Sequence, residues 1–129
     1  MAKVLVIDDE PSVRALLEML LRPQGYDVIL AENGWKGLQL YRQDHPDVIL
    51  LDLNMPELDG VSVLKQIRSV DLKQPVIVLT GETDPETERQ VSVLGVSEFI
   101  AKGSSLHLLG DTLKRLLKTP ASATAAGPC

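Results

Sequence analysis

The stretch Val48-Ile49-Leu50-Leu51-Asp52 decides how this chain is read. Four apolar residues run without alternation into a carboxylate. A half-buried strand would alternate apolar and polar side chains. An unbroken apolar run suits a strand covered on both faces, as in a parallel sheet with helices above and below. The chain contains two comparable runs, Val4-Leu5-Val6-Ile7 ahead of Asp8-Asp9-Glu10, and Val76-Ile77-Val78-Leu79 ahead of Thr80. Tyr26 to Ala31 and Glu98 to Ala101 are more mixed and suit edge strands.

Between these runs the apolar period becomes helical. Val13, Leu16, Leu17, Leu20 and Leu21 share a predicted face, with Pro11 at the first helical position. Leu38 and Tyr41 share a face within Asn33 to Asp44. Val61, Leu64, Ile67 and Arg68 follow a cap at Asp59, with Gly60 in the first turn. Asp84-Pro85 opens a short helix bearing Val91 and Leu94. Leu106, Leu109, Leu113, Leu116 and Leu117 form a last stripe, capped by Ser104 or Ser105. The alternation predicts a single α/β domain, a doubly wound five-stranded parallel sheet of strand order 2-1-3-4-5. That domain spans 1–118; the uncharged segment 119–129, rich in Ala and Pro, reads as a flexible tail or linker.

Composition narrows the function classes. The 129 residues carry 13 Lys+Arg against 18 Asp+Glu, a net charge of −5, which argues against direct nucleic-acid binding. Hydrophobic residues at 44% and charged ones at 24% are ordinary for a globular domain. One cysteine, Cys129, excludes an internal disulfide and a Cys-based zinc site. No apolar run approaches the ~20 residues of a bilayer crossing, so a cytoplasmic domain without membrane contact is expected.

In an open α/β sheet, sites form beyond the carboxyl ends of the strands. Here those ends carry Asp8-Asp9, Asp52, Thr80 and Lys102. Each alone would pass as a turn residue or cap, but together they gather three carboxylates, a hydroxyl and an ammonium on one sheet edge. Two carboxylates ~4 Å apart repel by about 4 kcal/mol at an effective dielectric near 20. A hard divalent cation such as Mg²⁺ relieves that repulsion. A carboxylate, Mg²⁺, a Lys and a hydroxyl are the parts that phosphoryl transfer to an Asp requires.

The ordered set Val4-Leu5-Val6-Ile7-Asp8-Asp9-Glu10, Asp52-Leu53-Asn54-Met55-Pro56 with Gly60, Leu79-Thr80-Gly81 and Phe99-Ile100-Ala101-Lys102 resembles the receiver domains of two-component response regulators, over roughly residues 3 to 118. The resemblance implies a flavodoxin-like (βα)5 fold and a phosphorelay role. It implies Asp52 as the phosphorylated residue, with Asp8, Asp9, Asp52 and the Asn54 carbonyl holding Mg²⁺. It further implies Thr80 and Lys102 as catalytic partners of Asp52, with Thr80 and Phe99 as the switch pair. Such a domain promotes its own phosphorylation and dephosphorylation without being a turnover enzyme. Its implied partners are a sensor histidine kinase or phosphotransfer protein and a downstream output domain or protein; a homodimer through the fourth and fifth helices is compatible.

Two positions depart from the family pattern. Gly103 stands where Pro usually follows the Lys, which loosens that loop. Phe99 replaces the commoner Tyr and cannot donate a hydrogen bond. The alternative reading is an Asp-nucleophile phosphatase of haloacid-dehalogenase type, which uses similar residue types. There the nucleophile precedes the acidic pair and is followed two residues on by a general-acid Asp, whereas here Asn54 stands at that position. Trp35 and Tyr41 are assigned to packing or surface. His45 is placed in the turn before the third strand, and His107 in the first turn of the last helix. Glu86, Glu88 and Arg89 form a solvated face beside the switch, where they are also candidate partner contacts.

Overall fold

A computed structural model describes residues 1–103 and 106–117. The elements are β1 (Lys3–Ile7), α1 (Pro11–Leu21), β2 (Asp27–Ala31), α2 (Gly34–Asp44), β3 (Val48–Leu51), α3 (Gly60–Val70), β4 (Val76–Thr80), α4 (Pro85–Leu94), β5 (Glu98–Ala101) and α5 (Leu106–Leu117), with one 3-10 turn at Arg22–Gln24. All strands are parallel, in the order β2-β1-β3-β4-β5. The expected caps Ser104 and Ser105, and the tail 119–129, lie outside the described residues.

The unbroken apolar runs are explained by what covers them. Alternate residues of the same strand enter two different cores. Leu5, Ile7, Ile49, Leu51, Val76 and Val78 pack with Leu38 of α2, Val63, Leu64 and Ile67 of α3, and Val91 of α4. Val4, Val6, Val48, Leu50, Ile77 and Leu79 pack with Leu17 and Leu21 of α1 and Leu109 and Leu113 of α5. Each such side chain, fully buried, contributes roughly 1.5–3 kcal/mol of transfer free energy. One polar swap in the middle strands would therefore disturb a packed layer whichever way it pointed.

The predicted α1 face is narrower than its spacing suggested. Leu17 and Leu21 are buried, but Leu16 is 38% exposed. Leu16 and Leu17 differ by about 100° around a helix, and the sheet covers only the Leu17 side. Trp35 is 59% exposed, whereas Tyr41 packs against the first core. His45 occupies the left-handed region (φ 47°) at the C-cap of α2, in the turn that leads to β3. Among the described residues no helix is long and apolar enough to cross a membrane.

Helix α4 is held unevenly. Asp84 caps its start by accepting from Thr87 N–H. At its other end Arg68 of α3 donates to the Leu94 and Gly95 carbonyls at 2.9–3.2 Å, and to Asp71 O at 3.0 Å. Val91 is the only fully buried side chain of this helix.

Candidate functional site

Strand register builds the site. Ile7 pairs with Leu51, so the next residues, Asp8 and Asp52, leave adjacent strands side by side. The ladder continues one step further, with Asp52 N–H donating to Ile7 O at 3.0 Å. On the other flank Thr80 pairs with Ala101, which brings Lys102 up beside the end of β4. Gly60 lets α3 begin directly against this edge: a Cβ there would lie 2.3 Å from Asp52 O and 2.6 Å from the Leu53 Cα. Glu57, in the same β3–α3 loop, adopts φ 66° without being glycine.

Asp8 and Asp52 are each 2% exposed. Lys102 Nζ lies 3.1 Å from Asp8 Oδ2, 3.4 Å from Asp52 Oδ2 and 2.6 Å from Glu10 Oε1. Asp52 Oδ1 accepts from the Thr80 hydroxyl at 3.2 Å and from Asn54 N–H at 3.1 Å. The Asn54 side-chain amide donates onward to Thr80 Oγ1 at 3.2 Å and to Glu82 O at 2.6 Å, joining the loops after β3 and β4. Arg14 donates to Asp8 O at 2.7 Å, and Glu10 N–H donates to Asp8 Oδ1 at 2.9 Å, which secures the β1–α1 loop.

Burial pushes both Asp8 and Asp52 above the ordinary carboxylate range. The neighbouring Asp8 charge raises Asp52 further, against the lowering effect of Asn54 N–H and Lys102. Burial alone would depress Lys102, but its hydrogen bonds to Glu10 and Asp8 and the charges of Asp52 and Asp8 hold it well above its usual value. The ammonium therefore stays charged while the carboxylates are under strain.

The predicted residues Asp8, Asp52, Asn54, Thr80 and Lys102 thus meet in one place. Asp9 is half-buried, but the three acidic groups offering oxygens within 4.8 Å of one another are Asp8, Glu10 and Asp52. Sequence reasoning noted Glu10 without giving it a role; its place directly after the acidic pair was the available signal. The donor set, carboxylate oxygens only with two of the three acids buried, fits a hard divalent cation such as Mg²⁺. Phe99 is half-buried and packs against the first core, lining a groove of about 410 Å³ with Val91, Gly95 and Val96. Gly103 has open space where a Cβ would stand.

The sequence and fold of the chain match those of known proteins. The response regulator receiver domain family matches residues 4–114. The chain is 35% identical over 116 residues to the regulatory protein AtoC of Escherichia coli, covering 90% of this chain and 25% of that one. It is 37% identical over 117 residues to the alkaline phosphatase synthesis transcriptional regulatory protein PhoP of Bacillus subtilis, covering 90% and 48%. The chain thus spans about half or less of these relatives. Among solved structures it is similar to the chemotaxis protein CheY4 of Vibrio cholerae, with TM-score 0.82, 34% identity and coverage of 91% of this chain and 99% of that one. It is also similar to the response regulator TrrA of Thermotoga maritima in complex with Mg²⁺-BeF, with TM-score 0.80, 32% identity and coverage of 91% and 100%. The haloacid-dehalogenase alternative finds no support in these matches.

Proposed function

Because the chain belongs to the response regulator receiver domain family, we propose that Asp52 is its phosphoacceptor and that a phosphohistidine of a sensor kinase or phosphotransfer protein is the donor. The observation carrying this reading is the surroundings of Asp52: buried, at the end of a central strand, with Lys102, Thr80 and Asp8 all around its carboxylate. Asp8, Asp9, Asp52 and the Asn54 carbonyl would hold Mg²⁺, with Glu10 near enough to join them. When bound, Mg²⁺ supplies positive charge against the phosphoryl oxygens and cancels the carboxylate repulsion.

The chain's own groups do the rest. An Asp52 carboxylate oxygen attacks phosphorus in line, an O–P bond forms, and the N–P bond of the donor breaks with its electron pair returning to the imidazole, which takes a proton from solvent. Lys102 leaves Asp52 Oδ2 and pairs with a phosphoryl oxygen. The product adds about −1.5 to −2 charge, and the Thr80 hydroxyl turns from Asp52 Oδ1 to donate to it. That movement opens room for Phe99 to turn inward, which changes the α4–β5–α5 surface read by an output domain or protein. In dephosphorylation water attacks phosphorus, the Asp52 O–P bond breaks, inorganic phosphate leaves and Asp52 returns to its free carboxylate. Cytoplasmic placement follows from such a partner set, and the α4–α5 face is open to a second copy of the chain.

The test is intact-mass analysis after incubation with Mg²⁺ and acetyl phosphate. One phosphoryl per chain, base-labile, is expected on the wild type, and none on Asp52→Asn or after chelation. Equal labelling of Asp52→Asn would overturn the assignment.

A further inference from the structure

Both oxygens of Asp52 are occupied at rest. Oδ1 accepts from Thr80 and Asn54, and Oδ2 faces Lys102. Lys102 in turn is nearest to Glu10, at 2.6 Å, closer than to either buried aspartate. Glu10 reaches it across 92 positions of chain.

The backbone around Glu10 makes this contact specific. Glu10 is the N-cap of α1, with an extended conformation (φ −90°, ψ 116°). The caps Asn33, Asp59 and Asp84 all turn a side-chain oxygen back onto their own helix. Glu10 makes no such bond; its carboxylate goes to Lys102 instead. Its main chain is held by the bond to Asp8 Oδ1, and by Val13 and Arg14 N–H groups donating to its carbonyl at 3.1 Å. The Lys102 side chain is 18% exposed and that of Glu10 54% exposed, against 3% and 2% for Asp8 and Asp52, so Glu10 is the solvent-facing one of the three carboxylates around the ammonium. A pair open to water on one side exchanges readily.

We propose that Glu10 is a positioning residue that holds Lys102 across the mouth of the pocket at rest and competes with the incoming phosphoryl group for it. This rests on Asp52 being the acceptor. Phosphoryl transfer then requires Lys102 to give up Glu10 as well as Asp52 Oδ2, and the strength of the Glu10 contact sets how often the site is ready.

Two variants separate contact from charge. Glu10→Asp keeps the charge but withdraws the carboxylate by about one methylene, beyond hydrogen-bond reach. Glu10→Gln keeps the reach and removes the charge. The first readout uses metal-free protein: reductive methylation of Lys102, followed by peptide mass spectrometry, with exposed Lys65 and Lys73 as internal references. Lys102 should react about threefold faster or more in both variants, with Lys65 and Lys73 unchanged. The second readout is the rate of Asp52 labelling by acetyl phosphate and Mg²⁺, which should rise several-fold in Glu10→Asp, whose site charge is unaltered. Wild-type Lys102 reactivity in Glu10→Asp would overturn the proposal, since charge alone would then explain any effect of Glu10→Gln. Faster methylation without faster labelling would overturn the competition. Absence of labelling in every protein, wild type included, would instead overturn Asp52 as acceptor, and the methylation rates alone would decide whether Glu10 holds Lys102.

Discussion

Replacing Asp52 by Asn should make the metal-free protein more stable while removing its function. At an effective dielectric near 20, the 3.4 Å approach of Lys102 to Asp52 is worth about 5 kcal/mol of attraction. The Asp8 oxygen within 4.8 Å opposes it with about 3.5 kcal/mol of repulsion, and half-exposed Glu10 adds a screened share. These terms nearly cancel. The cost of burying a charge at 2% exposure therefore sets the sign. Asn keeps an oxygen for the Thr80 hydroxyl and Asn54 N–H, and Lys102 keeps Asp8 and Glu10. A gain of about 1–3 kcal/mol follows, or about 4–12 °C in melting temperature for a domain of this size. The native carboxylates titrate above their unfolded values, so between the two the folded chain binds more protons. Wild-type stability should then fall as pH rises from about 4 through the raised native pKa values, the reverse of an ordinary ion-paired Asp. Asp52→Asn should show a shallower fall, and Mg²⁺ should stabilise the wild type more than the variant. Thermal melts in chelator across pH 4–8 check this. An Asn variant melting at or below the wild type at neutral pH would refute the reasoning.

Thr80→Ala should still be labelled at Asp52, because nucleophile and Lys102 remain, but should lose much of the surface change. The lost hydrogen bond to a charged group is worth about 1.5–3 kcal/mol of the ~5.5 needed for a full two-state swing; NMR shifts over 84–103 and 106–115 with beryllofluoride measure it. Arg68→Ala should free the C-terminal carbonyls of α4, with faster amide exchange over 88–95 and about 1–2 kcal/mol lost in urea unfolding. Glu57→Gly should stabilise by about 0.5–1 kcal/mol in the same assay, relieving a left-handed backbone at a small cost in unfolded-chain entropy.

The strand order and the gathering of Asp8, Asp52, Thr80 and Lys102 were legible because they depend on local signals: unbroken apolar runs, and the residue that ends each run. Register then did the rest, since Ile7 opposite Leu51 leaves no other place for the two aspartates. Leu16 was less legible, because a helical stripe does not reveal how wide the covering sheet will be. The role of Glu10 depends on an ammonium 92 residues away, and no local pattern marks a cap that declines its own helix. The Arg68 contacts are equally non-local: the sequence groups Arg68 with Val61, Leu64 and Ile67, but its carbonyl partners belong to the end of another helix.

The missing side chain at Gly60 has a consequence for inheritance rather than for chemistry. With the Asp52 carbonyl 2.3 Å from where a Cβ would be, even alanine requires α3 to back away from β3 or the Asp52 main chain to shift. Position 60 is thus closed to gradual drift, because no intermediate residue is smaller than the one that fails. Exposed positions of α4 carry no such constraint, whereas the seam between β3 and the start of α3 admits no added side chain at position 60.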